Sequence, residues 1–477
     1  MKYHRLADIQ RDLSTGSLKL IDLVDSYLDR IEEGQSLNLF VDVYADEARN
    51  HAALIQQKLD QGSAGRLAGM VIGVKDVICY KGHGLTASSH ILEGFESQIT
   101  ATALQRLLDE DAIVIGRQSC DEFAMGSSNE NSTYGPARNP HDPERVPGGS
   151  SGASAAAVAA GMCLASLGSD TGGSVRQPAA FCGTLGLKPT YGRISRWGLI
   201  AYASSFDQIG PIAHSVDDLA LLLEVMAGPD QLDQTAAMEP VPAYSTAVAG
   251  SQTETFTFGV IPEVVNSPGL SPEIKLGFSQ KLDQLKAEGH QVVELGFPLL
   301  DYLVPCYYIL TTAEASSNLS RYDGVRYGYR HPQSADLEEL YTHTRSEGFG
   351  KEVQRRILLG NFVLSSGYYN AYYTQAMKVR RLIQERTREM LDQCDFLLMP
   401  TTPTPAFKLG EKSGDPIEMF LSDVFTVHAN LAGVPAISVP LEQSEEALPI
   451  GLQLMGSAFE ESRLLQGARA LMSARSI

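Results

Sequence analysis

Near the start of the chain, apolar side chains recur at every third or fourth position between charged ones, which is the spacing of one face of an α-helix. This pattern predicts two amphipathic helices over residues 4–32, with an apolar face formed by Leu18, Ile21, Val24, Leu28 and Ile31. Further along, the apolar runs at residues 68–78 and 112–116 predict buried strands, and residues 274–289 predict a helix. Because strand-like and helical patterns alternate throughout, the sequence predicts one large α/β domain spanning residues 1–477.

A polar, proline-containing stretch at residues 228–254 interrupts this alternation. Segments of this kind run over the surface of a domain, so we predict a surface insertion here. No apolar run in the sequence reaches the roughly 18–20 residues of a membrane-spanning helix, and no charged-then-apolar leader opens it. The sequence therefore predicts a soluble, cytoplasmic protein.

The candidate chemistry is concentrated between Pro147 and Pro178, where the chain runs PGGSSGASAAAVAAGMCLASLGSDTGGSVRQP. Two serines, Ser150 and Ser174, occupy glycine-rich turns on either side of an alanine-rich stretch, and residues 155–163 of that stretch predict a helix. A hydroxyl in such a turn can face a substrate carbonyl while neighbouring backbone amides stabilise the developing oxyanion. The segment is therefore typical of a serine hydrolase.

Three other interpretations of this segment are weaker. A flexible linker would not contain a run of helix formers followed by Asp170 and Arg176, and a phosphate loop would need a Lys-Ser/Thr pair that is absent here. Residues 148–152 also satisfy the G-x-S-x-G nucleophile elbow, which requires a buried strand directly before it. Because residues 138–145 are charged and broken by prolines, we predict that Ser150 relays a proton and is not the nucleophile.

A serine nucleophile needs a neighbouring base, and of the ten histidines only His141 lies near this segment, in the charged loop. Lys75 is the candidate base, because it ends the apolar run at residues 70–74 and burial can leave a lysine neutral. The residues alone equally allow a lysine that extends from the strand end into solvent.

Three parts of the sequence together resemble the amidase signature family: Lys75, the turn at residues 148–152 and the segment at residues 168–178. The resemblance implies a single α/β domain with a central mixed β-sheet flanked by helices. It also implies a Ser–cis-Ser–Lys triad, in which Ser174 is the nucleophile, Ser150 the bridging serine with a cis peptide and Lys75 the base. The oxyanion hole that it implies consists of the backbone amides of Thr171, Gly172, Gly173 and Ser174. We further expect Asp170 to pair with Arg176.

Additional segments, at residues 122–132, 186–195, 204–211, 315–324 and 346–356, resemble one branch of that family, the glutaminase subunits of tRNA-dependent amidotransferases. For glutamine, that resemblance implies three substrate-binding residues, which are Tyr307, Arg356 and Asp423. An arginine fork suits the α-carboxylate of glutamine and an aspartate suits its α-ammonium. From the helical pattern alone Arg356 could also be a solvated charge, and Arg355 remains an alternative carboxylate ligand.

The chain carries a formal net charge of −19, and its pI is near 5.0. A protein this acidic repels phosphate backbones, so a partner must hold any nucleic acid. The resemblance implies such partners: a B subunit that binds tRNA and uses ATP and Mg to convert misacylated Glu-tRNA(Gln), or Asp-tRNA(Asn), and a small C subunit. It implies no cofactor in this chain, and the six cysteines show no metal-ligand spacing, so we predict no metal site. The alternatives are a stand-alone amidase for other small amides and a structural subunit with an idle site.

Overall fold

One mixed β-sheet of eleven strands organises the computed structural model, which describes residues 3–250, 254–412, 414, 416–441 and 447–473. The strands are β1 Phe40–Val43, β2 Val71–Lys75, β3 Ile113–Gln118, β4 Ala165–Asp170, β5 Leu185–Lys188, β6 Gln208–Ala213, β7 Thr257–Val260, β8 Gln291–Glu294, β9 Phe396–Pro400, β10 Ala436–Leu441 and β11 Ile450–Met455. Their order across the sheet is β1-β3-β2-β4-β6-β5-β10-β11-β9-β7-β8. The predicted α/β fold with a central mixed sheet is therefore confirmed.

Helices flank this sheet. Within the described residues they are α1 Leu6–Ser14, α2 Leu20–Glu33, α3 Ala45–Asp60, α4 Thr102–Asp109, α5 Gly152–Ala159, α6 Arg176–Cys182, α7 Val216–Met226, α8 Tyr244–Ala249, α9 Pro262–Val265, α10 Pro272–Ala287, α11 Leu303–Asn318, α12 Leu337–Gly348, α13 Lys351–Leu364, α14 Tyr373–Leu391, α15 Pro416–Leu421, α16 Val427–Ala432 and α17 Glu461–Ser473. None of them combines the length and apolar character that crossing a bilayer requires.

The sheet topology brings the ends of two distant strands together. β2 and β4 are parallel neighbours, with Gly73 opposite Ser166 and Val74 opposite Leu167. Parallel strands end at the same edge of a sheet, so the last residues of β2 and β4, Lys75 and Asp170, lie on one side of the molecule. This edge carries the candidate site.

The predicted elements are present, with shifted boundaries. The pattern over residues 4–32 forms α1 and α2, and Val24, Leu28 and Ile31 are buried as predicted, whereas Leu18 precedes α2. The predicted strand at residues 68–78 is shorter, because the amides of Val77 and Ile78 turn back onto the carbonyl of Lys75 and end β2 there.

The helix predicted at residues 155–163 is displaced towards the N-terminus, since α5 covers Gly152–Ala159. Gly161 has a positive φ of 69° and donates its amide to the carbonyl of Val158, while the amide of Met162 bonds to Ala157. This is the hydrogen-bond pattern of a Schellman motif, which ends a helix at a left-handed glycine. The alanine-rich composition therefore predicted the helix but not its end.

The predicted insertion at residues 228–254 lies partly at the surface. Most side chains between residues 229 and 243 are exposed or half-buried, and α8 then packs against α7 and α17 with Tyr244 and Val248 buried. Residues 251–253 of this stretch lie outside the described residues.

Candidate active site

Ser174 occupies a turn between a buried strand and a helix. β4 ends at Asp170, the turn follows at residues 171–175, and α6 begins at Arg176. The side chain of Ser174 is 8% exposed, so it is buried but reaches solvent. Residues 138–149 form a loop without a strand, which agrees with the interpretation that Ser150 is not in a nucleophile elbow.

Lys75 is fully buried at the end of β2 and does not extend into solvent, so that alternative is wrong. Its Nζ donates to three serine hydroxyls: Ser150 Oγ at 2.7 Å, Ser151 Oγ at 2.9 Å and Ser169 Oγ at 2.9 Å. Burial lowers the pKa of Lys75 to about 8, although nearby acidic groups oppose this shift. The neutral amine is therefore a minor form near pH 7 and the main form above about pH 8.

Hydrogen bonds connect the turn at Ser150 to the turn at Ser174. The peptide bond between Gly149 and Ser150 is cis, which is the conformation that the family resemblance implied. The amide of Gly149 donates to Gln177 Oε1 at 2.8 Å, and the amide of Ser151 donates to the carbonyl of Ser174 at 3.0 Å. These bonds join the two serine turns, and Ser150 Oγ connects them to Lys75.

Asp170 and Arg176 form the predicted ion pair. Arg176 Nε lies 3.0 Å from Asp170 Oδ2 and Nη2 lies 3.0 Å from Oδ1, and both side chains are fully buried. Burial by itself raises the pKa of Asp170, but the guanidinium of Arg176 outweighs it and holds the pKa at about 2. The same carboxylate accepts the amides of Gly173 at 2.9 Å and Val175 at 3.2 Å, so the pair shapes the turn at Ser174.

We expect Asp170→Asn to destabilise the folded protein by about 3–5 kcal/mol, because it leaves the buried guanidinium of Arg176 without a counter-charge. Chemical denaturation monitored by circular dichroism measures this loss. The matched control is Glu385→Gln, which breaks the exposed pair with Arg381 and should leave the denaturation midpoint unchanged. An Asp170→Asn variant as stable as the control would contradict a structural role for the buried pair.

One of the four amides of the predicted oxyanion hole already has a hydrogen-bond partner in this structure. The amide of Gly173 is engaged by Asp170 Oδ1, so in this structure it is not free to bind an oxyanion. The amides of Thr171, Gly172 and Ser174 have no hydrogen-bond partner among the described residues. These three are therefore the amides that can receive a negatively charged oxygen.

Gly172 is required because the turn at residues 171–175 lies directly against the side chain of Tyr307. A Cβ on Gly172 would lie 2.5 Å from the hydroxyl and from a ring carbon of Tyr307, closer than real Cβ atoms approach other groups. Tyr307 is buried in α11 and packs edge-to-face on Phe206, with 5.8 Å between the ring centroids. The structure thus brings the predicted substrate residue Tyr307 against the predicted oxyanion turn.

Arg356 is not a solvated charge, because its side chain is only 4% exposed. Its Nε donates to Glu352 Oε1 at 2.8 Å, and its Nη1 donates to the hydroxyl of Tyr202 at 2.9 Å. The side chain of the neighbouring Arg355 is 52% exposed and pairs with Oε2 of Glu352. A cavity of about 310 Å³ is lined by both arginines, together with Phe420, Gly126 and Ser128. Of the two arginines, Arg356 is the buried one.

Asp423 is a buried carboxyl group that accepts a hydrogen bond from the hydroxyl of Ser127. Burial raises the pKa of Asp423 to about 7, although Ser127 and the positive charge of Arg356 lower it. Burial also raises the pKa of Tyr307, on which the charges of Arg356 and Asp423 both act. The three predicted substrate-binding residues are therefore close enough to interact.

Several residues that form hydrogen bonds with the predicted site residues were not predicted from the sequence. Ser169 lies against Lys75 because β2 and β4 are parallel neighbours, a pairing that no local pattern indicates. Ser127 and Tyr202 reach Asp423 and Arg356 from loops, where hydrophobic periodicity is uninformative. For Ser127 a signal was available, since it lies inside one of the segments that carry the family resemblance.

The structure groups three possible metal ligands at the surface. Donor atoms of His331, His343 and Glu347 lie within 4.8 Å of one another, and two of these side chains are exposed. His343 and Glu347 are four residues apart on α12, but His331 comes from the preceding loop, so the spacing alone does not indicate the group. None of the three is among the residues that contact Lys75, Ser150 or Ser174.

The fold and the site together define a class of protein. A buried lysine that donates to a serine in a cis peptide, beside a second serine at a strand-to-helix turn, is the arrangement of an amidase-type serine hydrolase. The chain belongs to the amidase family, whose sequence profile, described as Amidase, matches residues 22–465. The resemblance recognised in the sequence is thereby confirmed.

Particular members of the family are similar over nearly the whole chain. The A subunit of glutamyl-tRNA(Gln) amidotransferase from Chlorobium phaeobacteroides is 49% identical over 473 residues, which cover 99% of this chain and 99% of that protein. The crystal structure of the A subunit of glutamyl-tRNA(Gln) amidotransferase from Thermotoga maritima, 40% identical, aligns with a TM-score of 0.77 over 95% of this chain and 91% of that chain. Peptide amidase from Stenotrophomonas maltophilia, 28% identical, aligns with a TM-score of 0.82 over 99% of this chain and 97% of that chain. The fold is common to proteins of both names, so it does not decide the substrate.

Proposed function

We propose that this chain is the glutaminase subunit of a tRNA-dependent amidotransferase, which hydrolyses glutamine and supplies the ammonia to a partner subunit. The observation that carries the proposal is the buried guanidinium of Arg356 at a cavity, with the carboxyl group of Asp423 close enough to interact with it. A fixed cation and a fixed anion suit the α-carboxylate and the α-ammonium of a free amino acid. Similarity to proteins named as the A subunit of glutamyl-tRNA(Gln) amidotransferase supports the same substrate.

In the first half of the proposed reaction, Ser174 Oγ attacks the side-chain amide carbon of glutamine. The proton of Ser174 passes to Ser150 Oγ, while the proton of Ser150 passes to the neutral amine of Lys75, 2.7 Å away. The amide oxygen of glutamine becomes an oxyanion, and the free amides of the turn at residues 171–174 stabilise it. Each such donor is worth about 3–4 kcal/mol of transition-state stabilisation.

In the second half, the tetrahedral intermediate collapses and the C–N bond breaks. Protonated Lys75 returns its proton through Ser150 to the leaving nitrogen, so ammonia departs and a glutamyl ester remains on Ser174. Water then attacks the ester carbon while the same relay accepts its proton. When the second tetrahedral intermediate collapses, the C–O bond to Ser174 breaks, protonated Lys75 returns that proton through Ser150 to Ser174 Oγ, and glutamate leaves. Lys75 ends neutral, as it began, so the cycle closes without any other proton carrier.

The proposed site orients glutamine by its two charged ends. Arg356 binds the α-carboxylate and Asp423 binds the α-ammonium, while Tyr307 lies between them and the oxyanion turn. Because these groups are buried, a ligand that lacks the matching group leaves some of their hydrogen-bonding capacity unused. Such a site selects amino-acid amides over simple ones.

The partners are proposed from the charge of the chain and from the names of its relatives. A net charge of −19 disfavours direct binding of tRNA, so a B subunit would hold the tRNA and use ATP and Mg, and a small C subunit would join the two. The acceptor would be Glu-tRNA(Gln) or Asp-tRNA(Asn), and the work would take place in the cytoplasm, where aminoacyl-tRNA is used. This chain needs no cofactor of its own for hydrolysis by a serine.

Ammonia release from glutamine, asparagine and butyramide tests the proposal. The chain would be assayed alone, and then with candidate B and C subunits, charged tRNA and ATP. We expect release to be selective for glutamine and to increase with the partners. Equal or faster hydrolysis of butyramide by the chain alone would instead identify a stand-alone amidase.

We expect Arg356→Ala to raise the KM for glutamine by about 10- to 100-fold, because it removes a charge-assisted contact to the substrate carboxylate. Steady-state ammonia release measures the change. Arg355→Ala is the matched comparison, because Arg355 lines the same cavity but is 52% exposed, and we expect it to leave the KM unchanged. If the two variants exchanged these effects, Arg355 would be the carboxylate ligand.

A further inference from the structure

One loop contacts both charged parts of the proposed glutamine site. At its start, the carboxyl group of Glu122 accepts the amide of Gly350, which precedes α13, the helix that carries Arg356. At its other end, Ser127 donates its hydroxyl to Asp423. The loop at residues 122–127 therefore connects the N-terminus of α13, the helix that carries Arg356, to the buried carboxyl group of Asp423.

We propose that Glu122 is a positioning residue for substrate binding: by holding the N-terminus of α13, it sets the place of Arg356 relative to Asp423. This inference rests on the proposed function, because it takes Arg356 as the ligand of the glutamine carboxylate. Glu122 itself does not touch the substrate in this proposal.

The contact supplies a cap that α13 otherwise lacks. Gly350 is the N-cap residue of α13 and has no side chain with which to bond the free amides there. Both carboxyl oxygens of Glu122 accept the Gly350 amide, Oε1 at 3.1 Å and Oε2 at 2.9 Å. The partial positive charge at the N-terminal end of a helix favours a carboxylate here, while burial raises the pKa of Glu122 to about 7 against the hydrogen bonds from Ser89 and Gly350.

Neighbouring contacts hold the hydrogen bond between Glu122 and Gly350 in place. A Cβ on Gly350 would lie 2.4 Å from Glu122 Oε2, so glycine permits the close approach. The hydroxyl of Ser89 donates to Glu122 Oε1, and the next residue, Phe123, packs on Phe349 with 5.6 Å between ring centroids. Two consecutive loop residues thus hold the two consecutive residues that join α12 to α13.

The backbone of the loop at residues 122–127 adopts an uncommon conformation directly after Glu122. Phe123 and Ala124 both have left-handed conformations, with φ of 51° and 58°, which non-glycine residues and bulky ones above all adopt rarely. Such conformations persist where surrounding contacts hold them. Because a helix moves as a rigid body, a change at Gly350 shifts Arg356 in the second turn of the same helix.

The test is a double-mutant cycle on ammonia release at subsaturating glutamine, in the assembly that shows glutamine-dependent activity. We expect Glu122→Gln to lower kcat/KM for glutamine by about tenfold through KM, with kcat nearly unchanged, because a small displacement of a substrate ligand weakens binding. In the Arg356→Ala background the same substitution should have no further effect, because it acts through that arginine. The control is Asp336→Asn, which neutralises a carboxylate that caps the neighbouring helix α12 and should leave KM unchanged.

Two results would overturn the inference: an unchanged KM in Glu122→Gln, or the same loss with and without Arg356, which would indicate general structural damage. If Arg356→Ala alone left kcat/KM for glutamine unchanged, the proposed function would fail instead. Should Glu122→Gln not fold, Gly350→Ala perturbs the contact from the other side and is entered in the same cycle. A clear KM effect that disappears in the Arg356→Ala background is the supporting outcome.

Discussion

Replacing Ser174 with alanine should lower the rate of ammonia release by about 10⁴- to 10⁶-fold, because the proposed reaction loses the atom that forms the acyl-enzyme. The fold should survive, since the substitution removes one hydroxyl from a side chain that has no hydrogen bond from that hydroxyl to other described residues. Binding of glutamine should also persist, because Arg356 and Asp423 are untouched. Steady-state kinetics and calorimetric titration with glutamine measure the two effects separately.

The matched control for this substitution is Ser154→Ala. Ser154 is a buried serine in α5 whose hydroxyl has no hydrogen-bond partner among the described residues, so it makes no hydrogen bond to Lys75 or Ser150. Its loss should leave kcat and KM unchanged. Residual activity of Ser174→Ala at the level of this control would show that another group is the nucleophile, and the proposed mechanism would then be wrong.

Replacing Lys75 with methionine should lower kcat/KM by about 10²- to 10⁴-fold, the contribution of a positioned general base. Methionine keeps the length and apolar body of the side chain, so the buried position remains filled. In the unmodified protein, activity should rise with pH and level off above about 8, because the pKa of Lys75 is lowered to about 8 by burial and only its neutral form accepts a proton. The variant should lose that rise with pH.

Lys188→Met separates the base from buried lysines in general. Burial lowers the pKa of Lys188 to about 7, but its amine donates to the carbonyls of Pro189 and Val434 and to no serine. This variant should lose stability, since two buried carbonyls lose their donor, yet its folded fraction should keep the pH profile of the original protein. A pH profile that survives in Lys75→Met and disappears in Lys188→Met would reverse the assignment of the base.

Substrate selection in this family does not follow from the fold. A peptide amidase and a subunit of an amidotransferase both superpose on this chain, with TM-scores of 0.82 and 0.77. Since proteins of both names share the fold, we propose that the residues around the sheet edge decide the substrate. In this chain the proposed substrate-binding residues, Arg356 and Asp423, lie on α13 and in the loop before α16.

The sequence by itself determined the class of fold and predicted which residues are the candidate reactive groups. Alternating apolar runs predicted an α/β domain, and the glycine-rich turns at Ser150 and Ser174 predicted serine chemistry, because both signals are carried by residues that are neighbours in the chain. Local signals also placed the first helices and the strand that ends at Lys75. Helix and strand ends were less well predicted, as at Gly161, where a left-handed glycine ended the helix early.

Only the tertiary structure decided which groups meet. The parallel pairing of β2 with β4 places the buried Lys75 against Ser169, and the turn at Ser150 reaches the same amine, although both serines are far from it in sequence. Burial of Arg356 and exposure of Arg355 depend on how α13 packs, and a helical pattern does not choose between adjacent positions at the edge of a face. The hydrogen bonds and the pKa of a side chain depend on groups that come from distant segments of the chain. Local sequence patterns therefore do not predict them.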